Sequence, residues 1–134
     1  MSDSLTNISD KAGMPPGTLV HVGDIHEAES SISVIDYSKE NIEQRFIASI
    51  DEILPYLDRN TVTWLNIEGL KDTAPVESVG RILNIHPLVL EDILNTHQRP
   101  KFEEYDNYLY IVLKILSVEN QAFSIGYEQI SILV

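Results

Sequence analysis

Alternating apolar and polar residues mark the first third of the chain as strand-forming. Residues 18–22 and 31–37 place apolar side chains at or near every second position, which is the period of a half-buried strand. The polar stretch between them predicts a turn, so we expect the two strands to form a hairpin. Residues 1–13 hold little that can be buried, and we expect a flexible tail there, followed by a single domain over residues 14–134.

The period changes after residue 37, where apolar residues recur every three or four positions. This spacing predicts an amphipathic helix that begins after Ser38, a residue suited to capping a first turn, and that ends or kinks at Pro55. Residues 61–67 follow as a β-branched and aromatic run, which is typical of an interior strand. The apolar positions of the predicted helix are Ile42, Phe46, Ile47, Ile50, Ile53 and Leu54.

Two shorter helices are predicted next, each bounded by residues that favour a helix end. Thr73 is placed to cap the first, Pro75 lies in its opening turn and Asn84 suits its end. Pro87 opens the second helix, because the first helical turn tolerates proline. The apolar stripes of the two helices are Val76, Val79, Ile82 and Leu83 in the first, and Leu90, Ile93 and Leu94 in the second.

The last part of the chain is again rich in strand-forming residues. Residues 108–118 are apolar at nearly every position, which predicts a central strand covered by helices on both faces. Residues 127–134 begin another strand that stops at its most apolar point, so we expect the chain to be a fragment of a longer protein, truncated within this strand. The predicted fold class is α/β, with a mixed parallel and antiparallel sheet flanked by helices in the order β-β-α-β-α-α-β-β.

Charge is the most unusual feature of the composition. Nine Lys and Arg oppose 21 Asp and Glu, so the formal net charge is -12. Such a surface repels nucleic acid and attracts cations, so we expect no nucleic-acid partner; the alternative is that the charge only keeps the protein soluble. The sequence has no cysteine, which excludes disulfides and cysteine-bound zinc. Its longest apolar stretch, residues 109–116, is interrupted by Lys114 and is far shorter than the roughly 20 residues that cross a bilayer.

Motifs for catalysis are absent from the sequence. It contains no glycine-rich phosphate loop and no serine between closely spaced glycines, so we expect no enzyme activity. His21 and His26 lie near three acidic residues in the first predicted turn. This composition makes the turn a weak candidate for a cation site, and a polar hairpin tip explains it equally well.

Glu91 and Asp92 are adjacent carboxylates on the second short helix. Neighbouring helical residues point about 100° apart, so these two side chains cannot chelate one ion together without a bend. Each carboxylate can instead offer oxygen to a different ion, or hold a hydrated ion through water, a mode that suits Mg²⁺ because it dehydrates reluctantly. The alternative is a solvated acidic face without a ligand.

A long motif around these carboxylates resembles the CorA family of magnesium and cobalt channels. It reads Ile-His-Pro-Leu-Val-Leu-Glu-Asp-Ile-Leu-Asn-Thr-His-Gln-Arg-Pro-Lys over residues 85–101 and continues as Tyr-Leu-Tyr-Ile-Val-Leu-Lys-Ile-Leu over residues 108–116. Residues 15–20, 63–67 and 128–134 are similar to the same family, so the resemblance covers about residues 15–134. The related ZntB zinc transporters resemble the motif more loosely.

The resemblance implies a fold and a role that the residues alone do not establish. CorA channels are homopentamers whose cytoplasmic N-terminal α/β domains form a funnel beneath a stalk helix and two membrane helices, with a Gly-Met-Asn pore motif. This chain has no Gly-Met-Asn and no membrane helix, so the resemblance implies a regulatory domain at the cytoplasmic face of the cell membrane, attached to the membrane only through missing C-terminal helices.

The resemblance also assigns a role to the two carboxylates. It implies that Glu91 and Asp92 bind regulatory Mg²⁺, or Co²⁺, against an acidic residue in the stalk of the adjacent copy. Two alternatives remain open at this point: the same domain of a ZntB-like zinc transporter, and an acidic module that binds other proteins.

Overall fold

Two three-stranded antiparallel sheets organise the chain in a computed structural model that describes residues 13–22, 30–119 and 124–134. One compact unit comprises residues 25–90, and the other comprises residues 1–24 and 91–134. The strands and helices are β1 (Ser31–Tyr37), β2 (Ile42–Phe46), α1 (Leu54–Leu57), β3 (Val62–Glu68), α2 (Ala74–Ile82), α3 (Pro87–Leu94), β4 (Lys101–Glu104), β5 (Leu109–Glu119) and β6 (Ser124–Leu133).

The predicted α/β class is confirmed, but the arrangement of strands differs from the predicted mixed sheet. The strand orders are β2-β1-β3 in the first unit and β4-β5-β6 in the second, and every pairing within these sheets is antiparallel. In the described part of the chain, parallel pairing is limited to an isolated bridge between Val22 and Asn95. The strand predicted over residues 18–22 is therefore reduced to this bridge.

The helix predicted from Ser38 to Pro55 is wrong in its first half. Residues 42–46 form β2, because a spacing of four residues also places two apolar side chains on one face of a strand. The Ser38 hydroxyl does not cap a helix; it accepts the N–H groups of Glu40 and Asn41 at 3.2 Å in the turn between β1 and β2.

Helical structure in this region begins later, with a 3-10 helix over Ile50–Ile53 that runs into α1. Ser49 caps it in a capping box with Glu52, a signal that the helical spacing of the preceding residues obscured. Pro55 lies in the first turn of α1 and does not end it. This helical segment covers the core of the first unit, whose buried members are Val34, Ile47, Ile50, Ile53 and Tyr56.

Helices α2 and α3 lie where the sequence predicts them. Asn84 follows α2 with a φ of 53°, the left-handed conformation that commonly ends a helix. Thr73 precedes α2, but its hydroxyl donates to Glu77, and the Ala74 N–H is accepted by the Asp72 carboxylate at 3.0 Å instead. Asp72 is therefore the capping side chain of α2.

The strands of the second half differ from prediction at three places. β4 was not predicted, since three of its four residues are charged and only Phe102 is apolar. β5 is central as expected, but it is not covered throughout, because Leu116 and Val118 are 69% and 66% exposed. β6 begins at Ser124 rather than at Tyr127.

Among the described strands of the first unit, β3 lies at the end of its sheet rather than in the interior.

Some predicted features lie outside the described residues. They are most of the N-terminal tail, the turn that contains His26, and part of the turn between β5 and β6. None of the helices in the described ranges has both the length and the apolar character that crossing a bilayer requires.

Gly80 allows α2 to pack closely against Leu90 within the first unit. A methyl group at position 80 would collide with Leu90 Cδ1 and lie 3.0 Å from Cδ2, and both residues are buried. We expect Gly80→Ala to lower the free energy of unfolding by about 1 kcal/mol, because overpacking costs roughly 1–3 kcal/mol and the gain in helix propensity is only roughly 0.5–1 kcal/mol. Urea denaturation measures this difference.

The control for Gly80 is the same substitution in a Leu90→Ala background. There the added methyl group fills space, so we expect Gly80→Ala to be neutral or stabilising. An equal effect of Gly80→Ala in both backgrounds would show that contact with Leu90 is not what requires glycine.

Candidate metal centre on helix α3

Helix α3 holds the two candidate carboxylates at the rim of a buried face. His86 begins it, since its carbonyl accepts the Val89 N–H at 2.9 Å and its Nδ1 accepts the Leu88 N–H at 3.2 Å. Val89, Leu90 and Leu94 are buried, whereas Glu91 and Asp92 are of intermediate exposure. The spacing of the buried apolar residues along α3 therefore leaves both carboxylates partly exposed.

Glu91 anchors the N-terminal segment of its own unit. Its Oε2 accepts the Gly17 N–H at 2.8 Å, across 74 positions of sequence. Gly17 has a φ of 84°, a conformation that favours glycine, and it lies within a turn in which the Thr18 N–H and hydroxyl both donate to the Pro15 carbonyl. One oxygen of Glu91 thus satisfies a backbone group in this turn.

Asp92 is engaged through both of its oxygens. Oδ1 accepts from Gln98 Nε2 at 3.0 Å, and Oδ2 accepts from Lys101 Nζ at 2.6 Å. Lys101 Nζ also donates to Glu103 Oε1 at 3.0 Å and lies 5.1 Å from the centre of the Tyr110 ring. The ammonium group of Lys101 is therefore shared between two carboxylates.

The pKa of Lys101 reflects this pairing. Partial burial acts to lower it, but the hydrogen bonds to Asp92 and Glu103 and the charges of both carboxylates outweigh burial and raise it above its ordinary value. Lys101 is consequently positively charged throughout the physiological pH range, and it offsets part of the negative charge around Asp92.

The C-terminal end of α3 is held by two side chains from the sheet of the same unit. Lys114 Nζ donates to the Thr96 carbonyl at 2.7 Å and to Gln129 Oε1 at 3.2 Å. Gln129 Nε2 donates in turn to the Asn95 carbonyl at 3.0 Å. Burial lowers the pKa of Lys114. These bonds satisfy carbonyl groups beyond the last helical turn and hold the residues that follow α3 against β5 and β6.

The structure thus places Glu91 and Asp92 side by side but gives them different partners. Within residues 13–22, 30–119 and 124–134, no three His, Cys, Asp or Glu side chains converge to hold a metal ion. Sequence reasoning missed the roles of Gln98 and Lys101, because nothing in a linear pattern shows that the chain turns back after α3. The two basic residues that flank Pro100, Arg99 and Lys101, were the one available signal of a partner for a nearby carboxylate.

Comparison with known proteins identifies the family. Residues 59–134, more than half of the chain, match the family described as CorA-like Mg²⁺ transporter protein. The chain is also 43% identical over 127 residues to the cobalt/magnesium transport protein CorA of Thermotoga maritima. This similarity covers 95% of the chain but 36% of the relative, so the chain spans about a third of that protein's length. The chain therefore belongs to the family of CorA-like Mg²⁺ transporter proteins.

Proposed function

We propose that this chain is the cation-sensing, cytoplasmic part of a divalent-cation transport protein that carries Mg²⁺ and Co²⁺. The observation that supports this most strongly is the 43% identity to a cobalt/magnesium transport protein over almost the whole chain. That match favours these two ions over zinc. The proposed role is regulatory rather than catalytic, and the proposed partners are further copies of the same chain in a homopentamer.

The chemistry of Glu91 and Asp92 fits a regulatory Mg²⁺ or Co²⁺ ion only in part. Mg²⁺ takes six oxygen ligands in an octahedral shell, of which protein carboxylates usually supply only one or two and water supplies several. The described residues offer two carboxylates, both already hydrogen-bonded within their unit. The other ligands must then be water molecules or carboxylates of a neighbouring copy. An ion that keeps most of its own water shell needs the fewest direct bonds to the two side chains.

Charge explains why such a site would matter. Copies of a chain with a net charge of -12 repel one another when they are brought side by side, and a dication between facing carboxylates would offset that repulsion. A ligand at about ten times its dissociation constant contributes roughly 1.4 kcal/mol per site, or about 7 kcal/mol over five sites. Reversing a 1:99 equilibrium takes about 5.5 kcal/mol, so weak sites suffice.

The proposed function is tested in the full-length T. maritima transport protein carrying this chain in place of its matching segment. We expect Mg²⁺ to protect this chimera from limited proteolysis. The double substitution Glu91→Gln and Asp92→Asn should raise the Mg²⁺ concentration for half-protection by at least about tenfold, because losing groups that order a metal site typically costs this much affinity.

The matched control is Glu40→Gln with Asp58→Asn, which removes the same charge from two exposed positions. We expect this pair to leave half-protection nearly unchanged. An equal rise in the Mg²⁺ concentration for half-protection in the two double variants would show that only net charge matters. A chimera without any Mg²⁺-dependent protection would contradict the proposed function.

A further inference from the structure

We propose that Lys101 is a built-in competitor for Asp92, so that a divalent ion gains this carboxylate only when the Lys101 ammonium group moves over to Glu103. This inference rests on the proposed role of Asp92 as an ion ligand, and it adds a residue that sets the affinity of the site and selects for doubly charged ions.

The contacts of Asp92 show why an ion and Lys101 exclude each other. The 2.6 Å separation between Lys101 Nζ and Asp92 Oδ2 is the shortest hydrogen bond of this cluster, and it joins two full charges. Gln98 Nε2 occupies Oδ1 at 3.0 Å. A divalent ion at the carboxylate would lie close to the ammonium group, and the repulsion between like charges would make simultaneous binding unfavourable.

Glu103 offers the displaced ammonium group a second carboxylate. Its Oε1 already accepts from Lys101 Nζ at 3.0 Å. Its Oε2 accepts from the Tyr105 hydroxyl at 3.2 Å, and the Tyr105 ring stacks on Tyr108 with centroids 4.8 Å apart. Glu103 is therefore oriented by groups other than Lys101. The ammonium group can leave Asp92 by a small rotation, without becoming unpaired in solvent.

This exchange gives the site two properties. A bound dication places two positive charges at Asp92 where the Lys101 ammonium group placed one, so Mg²⁺ can displace Lys101. A potassium ion carries the same charge as the ammonium group and therefore has no electrostatic advantage over it. The competition also weakens Mg²⁺ binding, which keeps the ion releasable at physiological concentrations. Because the pair is partly exposed, at 23% for Lys101 and 31% for Asp92, we expect a weakening of about fivefold.

The test is an Mg²⁺ titration of the 134-residue chain followed by NMR, with the amide of Asp92 and the Lys101 side-chain ammonium as reporters. Lys101→Met should bind Mg²⁺ about fivefold more tightly than the wild type. The matched control is Lys39→Met, which removes the same charge from an exposed position remote in sequence. In the wild type, Mg²⁺ should perturb the Lys101 ammonium signal as it shifts Asp92.

A second pair of variants tests the exchange without removing Lys101. Glu103→Gln deprives the ammonium group of its alternative partner, so Mg²⁺ should bind more weakly than to Glu104→Gln, the same change at the next position of β4. Equal affinities of these two variants, or equal affinities of Lys101→Met and Lys39→Met, would overturn the competition.

Asp92→Asn separates this failure from failure of the proposed function. If Asp92→Asn weakens Mg²⁺ binding while Lys101→Met matches Lys39→Met, Asp92 is a ligand and only the competition is wrong. If Asp92→Asn changes nothing, or if neither the wild type nor Lys101→Met binds Mg²⁺, Asp92 is not an ion ligand in the single chain and the competition is overturned, whereas the proposed function is judged separately by Mg²⁺ protection of the chimera.

Discussion

Asp36→Asn is expected to lower the melting temperature at neutral pH by several degrees, and the difference from the wild type should shrink as the pH falls towards about 3. Asp36 is 5% exposed, and it is the one buried charged side chain in the described part of the chain. A buried charge is tolerated only when it is paired and hydrogen-bonded, so its partners determine the cost of losing it.

Three residues satisfy the Asp36 carboxylate from within the same unit. Thr61 Oγ1 and Thr63 Oγ1 both donate to Oδ2 at 2.7 Å, and Arg59 Nη1 donates to Oδ1 at 3.3 Å. Arg59 is itself held, because it also donates to Glu43 and its guanidinium lies 4.2 Å from the centre of the Tyr56 ring. An amide at position 36 keeps the shape of the side chain but removes the negative charge that the two hydroxyl groups and the Arg59 guanidinium stabilise.

The pH dependence follows from the pKa of Asp36. Burial acts to raise this pKa, but the hydrogen bonds from Thr63, Thr61 and Arg59 and the charge of Arg59 together outweigh burial and lower it. A carboxylate with a lowered folded-state pKa contributes stability above the pKa of the unfolded chain, and that contribution is lost as the pH falls through the folded-state value. The wild type therefore loses stability in acid, whereas Asp36→Asn has already lost it.

Thermal unfolding of both proteins between neutral pH and about pH 3 measures this effect. Asp58→Asn is the matched control, because Asp58 is exposed and undergoes the same chemical change. We expect its melting temperature to follow that of the wild type at every pH. A deficit of Asp36→Asn that stays constant over the whole range would show that ionisation of Asp36 does not stabilise the fold.

Leu94→Ala is expected to lower the free energy of unfolding by about 3 kcal/mol, because truncating a buried leucine costs the transfer energy of the lost atoms and leaves a cavity. Leu94 is 0% exposed, in the last turn of α3. Its carbonyl accepts the Val22 N–H at 2.9 Å, and the Thr96 N–H donates to the Val22 carbonyl at 2.9 Å. The cavity would therefore loosen the bridge that joins the N-terminal segment to α3.

Urea denaturation measures the stability, and amide hydrogen exchange at Val22 and Thr96 reports the local loosening. Leu88→Ala is the control on the same helix: Leu88 is 49% exposed, so the identical truncation should cost less than about 1 kcal/mol and leave exchange at both amides unchanged. Equal losses in the two variants would contradict the assignment of Leu94 to a packed core.

Local signals predicted the helices better than they predicted β2. Pro87 and Asn84 mark helix ends through backbone conformations that depend on little beyond the residue itself, and both positions are confirmed. The apolar residues at 42 and 46 are compatible with both a helix and a strand, and pairing with β1 decides between them. Such pairing depends on a partner strand, which the periodicity of residues 42–46 alone does not reveal.

The carboxylates show the same division between what a motif contains and what the folded chain brings together. The motif around Glu91 and Asp92 identifies the family, and helical geometry already separates the two side chains. The partners of Asp92, by contrast, come from Gln98 and Lys101, beyond the end of α3. Their approach depends on the turn before β4, a strand that the sequence did not predict.

The sequence by itself determined the α/β class, the positions of α2 and α3, the strong negative charge and membership of the family, because each depends on composition, short-range periodicity or a long motif. Only the tertiary structure decided which group faces each charge: Thr61, Thr63 and Arg59 at Asp36, Gly17 at Glu91, and Lys101 at Asp92. The physical reason is that strand pairing and chain reversal bring these groups together, and the periodicity of a single element contains neither its partner strand nor the path of the turn that follows it.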